Sequence, residues 1–112
     1  MERKKNTMTR RFCQRAFLKR EKIDEYRRLH AAVWPKVAEM ITACNLHNYS
    51  ISIMDNMVVS YFEYTGDDYE ADMAKMDADP ITLEWWTHTK PCFEGHDKGV
   101  YYEDLEEIFY QE

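Results

Sequence analysis

The sequence holds 112 residues with a formal net charge of −6, eight tyrosines, five phenylalanines, three tryptophans and three cysteines. That length suits one domain around one core, and the acidic balance argues against a nucleic-acid binder, which presents a net basic surface. No apolar stretch approaches a membrane span, and Cys13, Cys44 and Cys92 form no CxxC pair, so neither a disulfide framework nor a zinc site is expected.

Residues 1–9, with Arg3, Lys4 and Lys5, read as a solvated flexible tail ahead of a single domain over residues 10–112. No apolar run follows that could form a signal-peptide core, which points to the reducing cytoplasm. Residues 11–18 alternate as a first strand. From 21 to 44, Ile23, Tyr26, His30, Val37 and Cys44 recur at helical spacing. Pro35 interrupts that pattern; a proline inside a helix loses a hydrogen bond and clashes with the preceding turn, so a break is expected near Val33–Trp34, with Pro35 opening a second segment. Residues 46–54 and 57–64 alternate with period two around the turn residues Asp55 and Asn56, a hairpin. A helix over 67–77 begins near Asp67 or Asp68. Asp79 and Pro80 then read as a cap and first helical residue of a short helix through Thr87. Residues 91–99 read as loop and 107–110 as a last strand. The order β-α-β-β-α-(α)-β is the ferredoxin-like α+β pattern. Its open sheet has helices on one face, so the other face needs cover.

Tyr26 and His30 stand four apart on the apolar side of one helix, so both polar tips point toward the interior. A lone histidine there is more often a core residue bonded to a backbone carbonyl, since an unpaired buried polar group costs roughly 1–3 kcal/mol. Its place near a helix C-terminus would favour imidazolium, and a near-neutral pKa suits proton transfer. Tyr49 shares its strand face with Ile51 and Ile53, opposite Ser50 and Ser52. Trp85 and Trp86 point about 100° apart on a helix, so one is expected to pack inward while the other walls a cavity; indoles offer a stacking face and one N–H for a pyranose. The four histidines make no HxxxH or HxH pair, so no metal is expected. Glu63 is kept as a spare base pointing inward.

Taken together, Glu25-Tyr26-Arg27-Arg28-Leu29-His30, Trp34-Pro35, His47-Asn48-Tyr49-Ser50-Ile51, Ala78-Asp79-Pro80, Trp85-Trp86, Pro91 and Glu107-Ile108-Phe109-Tyr110 resemble the L-rhamnose mutarotase family in order and spacing, from about Arg11 to Tyr110. Members often carry glycine where Asn45 stands. The resemblance implies a homodimeric α+β barrel, an isomerase that interconverts the α and β anomers of L-rhamnose. It implies His30 as the acid–base residue, with Tyr26, Tyr49, Trp85 and Trp86 around the sugar. L-Fucose or another 6-deoxyhexose is an alternative substrate. Mutarotation delivers a proton to the ring oxygen while one leaves the anomeric hydroxyl, and this needs no cofactor; His30 is expected to donate to the ring oxygen, with Tyr26, Tyr49 or a water as second group. Two other classes remain: a cofactor-free oxygenase of the same dimeric barrel type, for which the seven methionines suit an apolar pocket, and a non-catalytic sugar- or partner-binding module.

Overall fold

The computed structural model describes residues 9–99 and 101–112. Apart from Thr9, the expected tail lies outside them. Four strands form one antiparallel sheet: β1 (Arg10–Phe17), β2 (Leu46–Met54), β3 (Met57–Tyr64) and β4 (Glu103–Asp104), in spatial order β2-β3-β1-β4. Helices α1 (Ile23–His30) and α2 (Pro35–Ala43) connect β1 to β2, and α3 (Tyr69–Asp77) and α4 (Pro80–Thr89) connect β3 to β4. This is the expected ferredoxin-like α+β order. Among the described residues, no helix is long and apolar enough to cross a membrane.

Local chemistry sets most boundaries. Trp34 is extended (φ −63°, ψ 133°), as the residue before a proline is forced to be, and Pro35 starts α2 where its missing N–H costs nothing. Asp68 accepts from the Ala71 N–H at 3.1 Å, and Asp79 accepts from the Thr82 N–H at 2.8 Å, capping α3 and α4. Asn45, just past the end of α2, is left-handed (φ 67°). That conformation suits glycine or asparagine, and here the amide also donates to Asp72 at 3.0 Å.

Every second residue of β3 is buried: Val58, Ser60, Phe62 and Tyr64 face the helices. One core cluster joins Ala16, Leu18 and Val58 to Tyr26, Cys92 and Phe93; a second joins Leu46, Phe62 and Tyr64 to Cys44 and Met76. Removing each large apolar side chain from water stabilises the fold by about 1.5–3 kcal/mol. The opposite face carries Cys13, Phe17, Met57, Val59, Tyr61 and Glu63.

Two expectations are corrected. Glu63 points away from the helices, by the same alternation that turns Phe62 and Tyr64 inward. It accepts from Asn48 at 2.9 Å and from the Tyr61 hydroxyl at 2.7 Å, and the Asn48 bond chiefly holds its carboxyl below the usual range. It is therefore no base for the interior. The last strand is Glu103–Asp104, not 107–110. Because Asp104 pairs with Gln14, Glu107 stands across from Arg11 and Ile108 across from Arg10, where β1 begins, and Phe109 and Tyr110 run past it. Side chains take over there: Arg11 grips Glu107 through two bonds of 2.8 and 2.7 Å and lies 3.4 Å over the Tyr110 ring.

Candidate active site

A cavity of about 670 Å³ opens between α2, α4 and the helix-facing side of β2 and β3. A second of about 260 Å³ shares its wall of His30, Tyr49, Ile51, Trp85 and Trp86, and continues past Tyr26. The first is inside the size range of small-ligand pockets, and both mix aromatic surface with a few polar groups. All five residues singled out from the sequence therefore meet in one place.

His30 is the last residue of α1, and its Nδ1 lies 2.9 Å from the Tyr26 carbonyl oxygen. A carbonyl only accepts, so Nδ1 carries the hydrogen; in the neutral ring, Nε2 is left with its lone pair. The ring sits 4.2 Å from that of Tyr26 and meets Trp85 edge-on at 5.5 Å. Burial among these rings pushes the His30 pKa below its usual 6.5, and the bond to Tyr26 only partly opposes that. Desolvation thus outweighs the Tyr26 bond, and the imidazole is neutral at pH 7.

Trp85 is 5 % exposed, packed edge-on against Trp34 at 5.2 Å while still walling both cavities. Trp86 is half-buried beside it, with Lys90 Nζ 4.0 Å over its ring. The expected split, one indole in the core and one at a wall, is too simple: Trp85 does both. Burial also pushes the Tyr26 hydroxyl well above the usual phenol range, so it stays protonated.

Tyr49 reaches the cavity by a device that strict alternation does not show. His47 pairs with Glu63 and Ser50 with Tyr61, so Asn48 and Tyr49 together stand opposite Phe62. This bulge places Asn48 in the left-handed region (φ 51°), tolerable for asparagine. The extra residue shifts the parity of the strand. Leu46 and Tyr49, which regular alternation would put on opposite faces, both turn toward the helices. The Tyr49 ring then stacks on Phe62 with centroids 5.2 Å apart.

Lys90, Phe93, Tyr101 and Tyr102 also line the smaller cavity and were not singled out from the sequence. They follow α4 in segments without periodicity; the Tyr101-Tyr102 doublet was the one available signal.

Comparison with known proteins agrees with this geometry. A profile of the L-rhamnose mutarotase family matches residues 11–111. The chain belongs to that family. The L-rhamnose mutarotase of Shouchella clausii is 31 % identical over 94 residues, covering 81 % of this chain and 88 % of that one. That of Bacillus subtilis is 30 % identical over 95 residues, covering 84 % and 90 %. Among solved structures, an L-rhamnose mutarotase from Formosa agariphila superposes with a TM-score of 0.73 at 21 % identity, covering 92 % of this chain and 99 % of that one. A NIPSNAP family protein of unknown function from Agrobacterium tumefaciens shares the fold at a TM-score of 0.63 and 18 % identity, over 88 % and 85 %. The mutarotase family thus shares its fold with proteins outside it, and family membership rests on the sequence matches.

Proposed function

We propose that this chain is an isomerase that interconverts the α and β anomers of L-rhamnose, or of a closely related 6-deoxyhexose, by acid–base ring opening and closure. It acts as a cytoplasmic homodimer, each copy one domain over residues 10–112. Family membership favours this over the oxygenase and binding-module readings. The observation that carries the mechanism is the Nδ1–H bond of His30 to the Tyr26 carbonyl, which leaves Nε2 unprotonated at the cavity wall.

That tautomer supports a role for His30 opposite to the one first expected. A neutral imidazole with a free Nε2 is a base, so it takes the anomeric hydroxyl proton as the ring opens, while the ring oxygen leaves with the C1–O5 pair and takes a proton from a tyrosine hydroxyl or a water in the cavity. The aldehyde then turns about C1–C2. On closure the imidazolium returns its proton to the oxygen at C1. Trp85 and Trp86 supply apolar faces for the sugar ring, and Tyr26 and Tyr49 supply hydroxyls. Acid–base catalysis of this kind is worth roughly 10²–10⁴-fold.

Support for the homodimer comes from the sheet. Its outer face presents the half-buried side chains of Phe17, Met57, Val59 and Tyr61 with no helix of the described residues over them, which a second copy would cover.

Saturation-transfer NMR between the two anomers tests the assignment. The wild-type protein should speed exchange of L-rhamnose, with L-fucose as the comparison sugar, and His30→Ala should lower the catalysed rate by roughly 10²-fold or more. Equal exchange with and without the imidazole would overturn it.

A further inference from the structure

Opening the ring needs an acid as well as a base, and His30, neutral with its hydrogen committed to a carbonyl, does not supply one. The acid must reach the smaller cavity and hold a proton at neutral pH. Tyr26, Tyr49, Tyr101, Tyr102 and Lys90 all line that space. Charge separates them. A tyrosine that gives up its proton while His30 gains one creates a phenolate and an imidazolium from two neutral groups, and new charge costs most in apolar surroundings. Burial shows that cost at two of them, pushing the Tyr26 phenol well above its usual range and the Tyr101 phenol up to about 12. A lysine ammonium starts as a cation and leaves a neutral amine. No new charge then appears.

Lys90 caps the end of α4 and is half-buried. Side chains on a helix lean toward its N-terminus, so Lys90 reaches back over the residue four before it, and its Nζ stands 4.0 Å from the centre of the Trp86 ring. His30 meets the neighbouring indole, Trp85, edge-on at 5.5 Å. Base and cation thus stand at two adjacent indoles of one wall. The backbone behind Lys90 is held: Pro91 follows it, the Phe93 N–H donates to the Lys90 carbonyl at 3.1 Å, and the Glu94 N–H donates to the Phe17 carbonyl at the end of β1 at 2.8 Å. Among the described residues the ammonium has no ion pair and no hydrogen bond, only the face of Trp86. A further hollow of about 350 Å³, which also holds His96, borders Lys90 as well. The titratable groups that share these two spaces with it are the imidazoles of His30 and His96 and the hydroxyls of Tyr26, Tyr49, Tyr101 and Tyr102. None is a carboxylate, so the cation is left to pair with an oxygen of the ligand.

We propose that Lys90 is the acid partner of His30, donating from Nζ to the ring oxygen of the sugar in preference to a tyrosine or a water. This deepens the mutarotase reading and rests on it. The anomeric hydroxyl and the ring oxygen are both bonded to C1, so a base and an acid on one wall can serve the two. In ring opening, His30 Nε2 takes the proton of the anomeric hydroxyl, that O–H pair becomes the second bond of the C1 carbonyl, and the C1–O5 pair leaves with O5. O5 takes a proton from Lys90 Nζ. The site then holds an imidazolium and a neutral amine where it held a neutral imidazole and an ammonium, and its net charge is unchanged. After rotation about C1–C2, O5 attacks C1 and returns its proton to the Lys90 amine, while the carbonyl oxygen takes the proton from His30. The same charge shuttles between two side chains in both directions.

The test is anomer exchange on the full chain carrying Lys90→Met, which keeps an apolar stem over Trp86 and removes the ammonium. We expect kcat to fall by roughly 10²-fold while KM stays within about threefold. Lys90→Arg keeps the charge, yet a guanidinium does not release its proton in a protein, so this variant should lose activity almost as far. The alkaline limb of the kcat–pH profile, which in the wild type follows loss of the ammonium proton, should be absent from Lys90→Met. Three results would each overturn the assignment: wild-type kcat in Lys90→Met, recovery in Lys90→Arg to within about threefold of wild type, or an alkaline limb that Lys90→Met leaves in place, which would point to a tyrosine. A wild-type protein that fails to speed exchange at all would instead overturn the mutarotase reading.

Discussion

Replacing Asn48 with valine probes the bulge that aims Tyr49. A left-handed backbone costs an ordinary L-residue roughly 1–2 kcal/mol, and a β-branched one sits at the upper end. The chain has one way to avoid that strain, which is to straighten and pair residue 48 with Phe62. Every later side chain of β2 would then change face: Tyr49, Ile51 and Ile53 would turn outward, and Ser50 and Ser52 inward. Losing the partial burial of two isoleucines and the Tyr49–Phe62 stack costs roughly 3 kcal/mol or more, before two serine hydroxyls are buried. Straightening is the larger loss, so the variant keeps the bulge and bears about 2 kcal/mol of strain. At about 4 °C per kcal/mol for a domain of this size, Asn48→Val should melt about 8 °C lower. Asn48→Gly adopts the same backbone freely and loses only an exposed side-chain bond to Glu63. Thermal melts by circular dichroism on both variants separate backbone strain from the lost bond. If valine and glycine melt within about 2 °C of each other, the bulge is not holding residue 48 in the left-handed region and the reasoning fails.

Activity should depend on the neutral form of His30. With its pKa pushed below 6.5 by burial, the acid limb of the kcat–pH profile should fall below pH 6.5; a limb at or above that value would contradict the buried, neutral ring. Stability follows the same sign. The unfolded chain takes up this proton near pH 6.5 while the folded chain still refuses it, so stability declines as pH drops below 6.5, until the folded pKa is passed. Val59→Arg puts a charge in the middle of the uncovered sheet face and should convert dimer to monomer by light scattering after gel filtration. An unchanged mass would place the interface elsewhere.

Much of this protein was legible from its residues because the signals are local. Pro35 fixes the break between α1 and α2, Asp68 and Asp79 cap their own helices, and the period of two in 57–64 is the burial pattern of β3. The i, i+4 spacing alone sets Tyr26 against His30. Other features depend on partners distant in sequence. Residues 107–110 have the composition of a strand, yet the register at Gln14–Asp104 carries Phe109 and Tyr110 past the start of β1. Glu63 turns outward because β3 as a whole turns Phe62 and Tyr64 inward. The tautomer of His30 comes from one carbonyl and its lowered pKa from burial, with Trp85 of α4 edge-on to its ring. Periodicity reports which side of its own element a residue occupies. Only the packed sheet and helices decide what that side faces, and so which nitrogen keeps its proton and which side chains share a cavity.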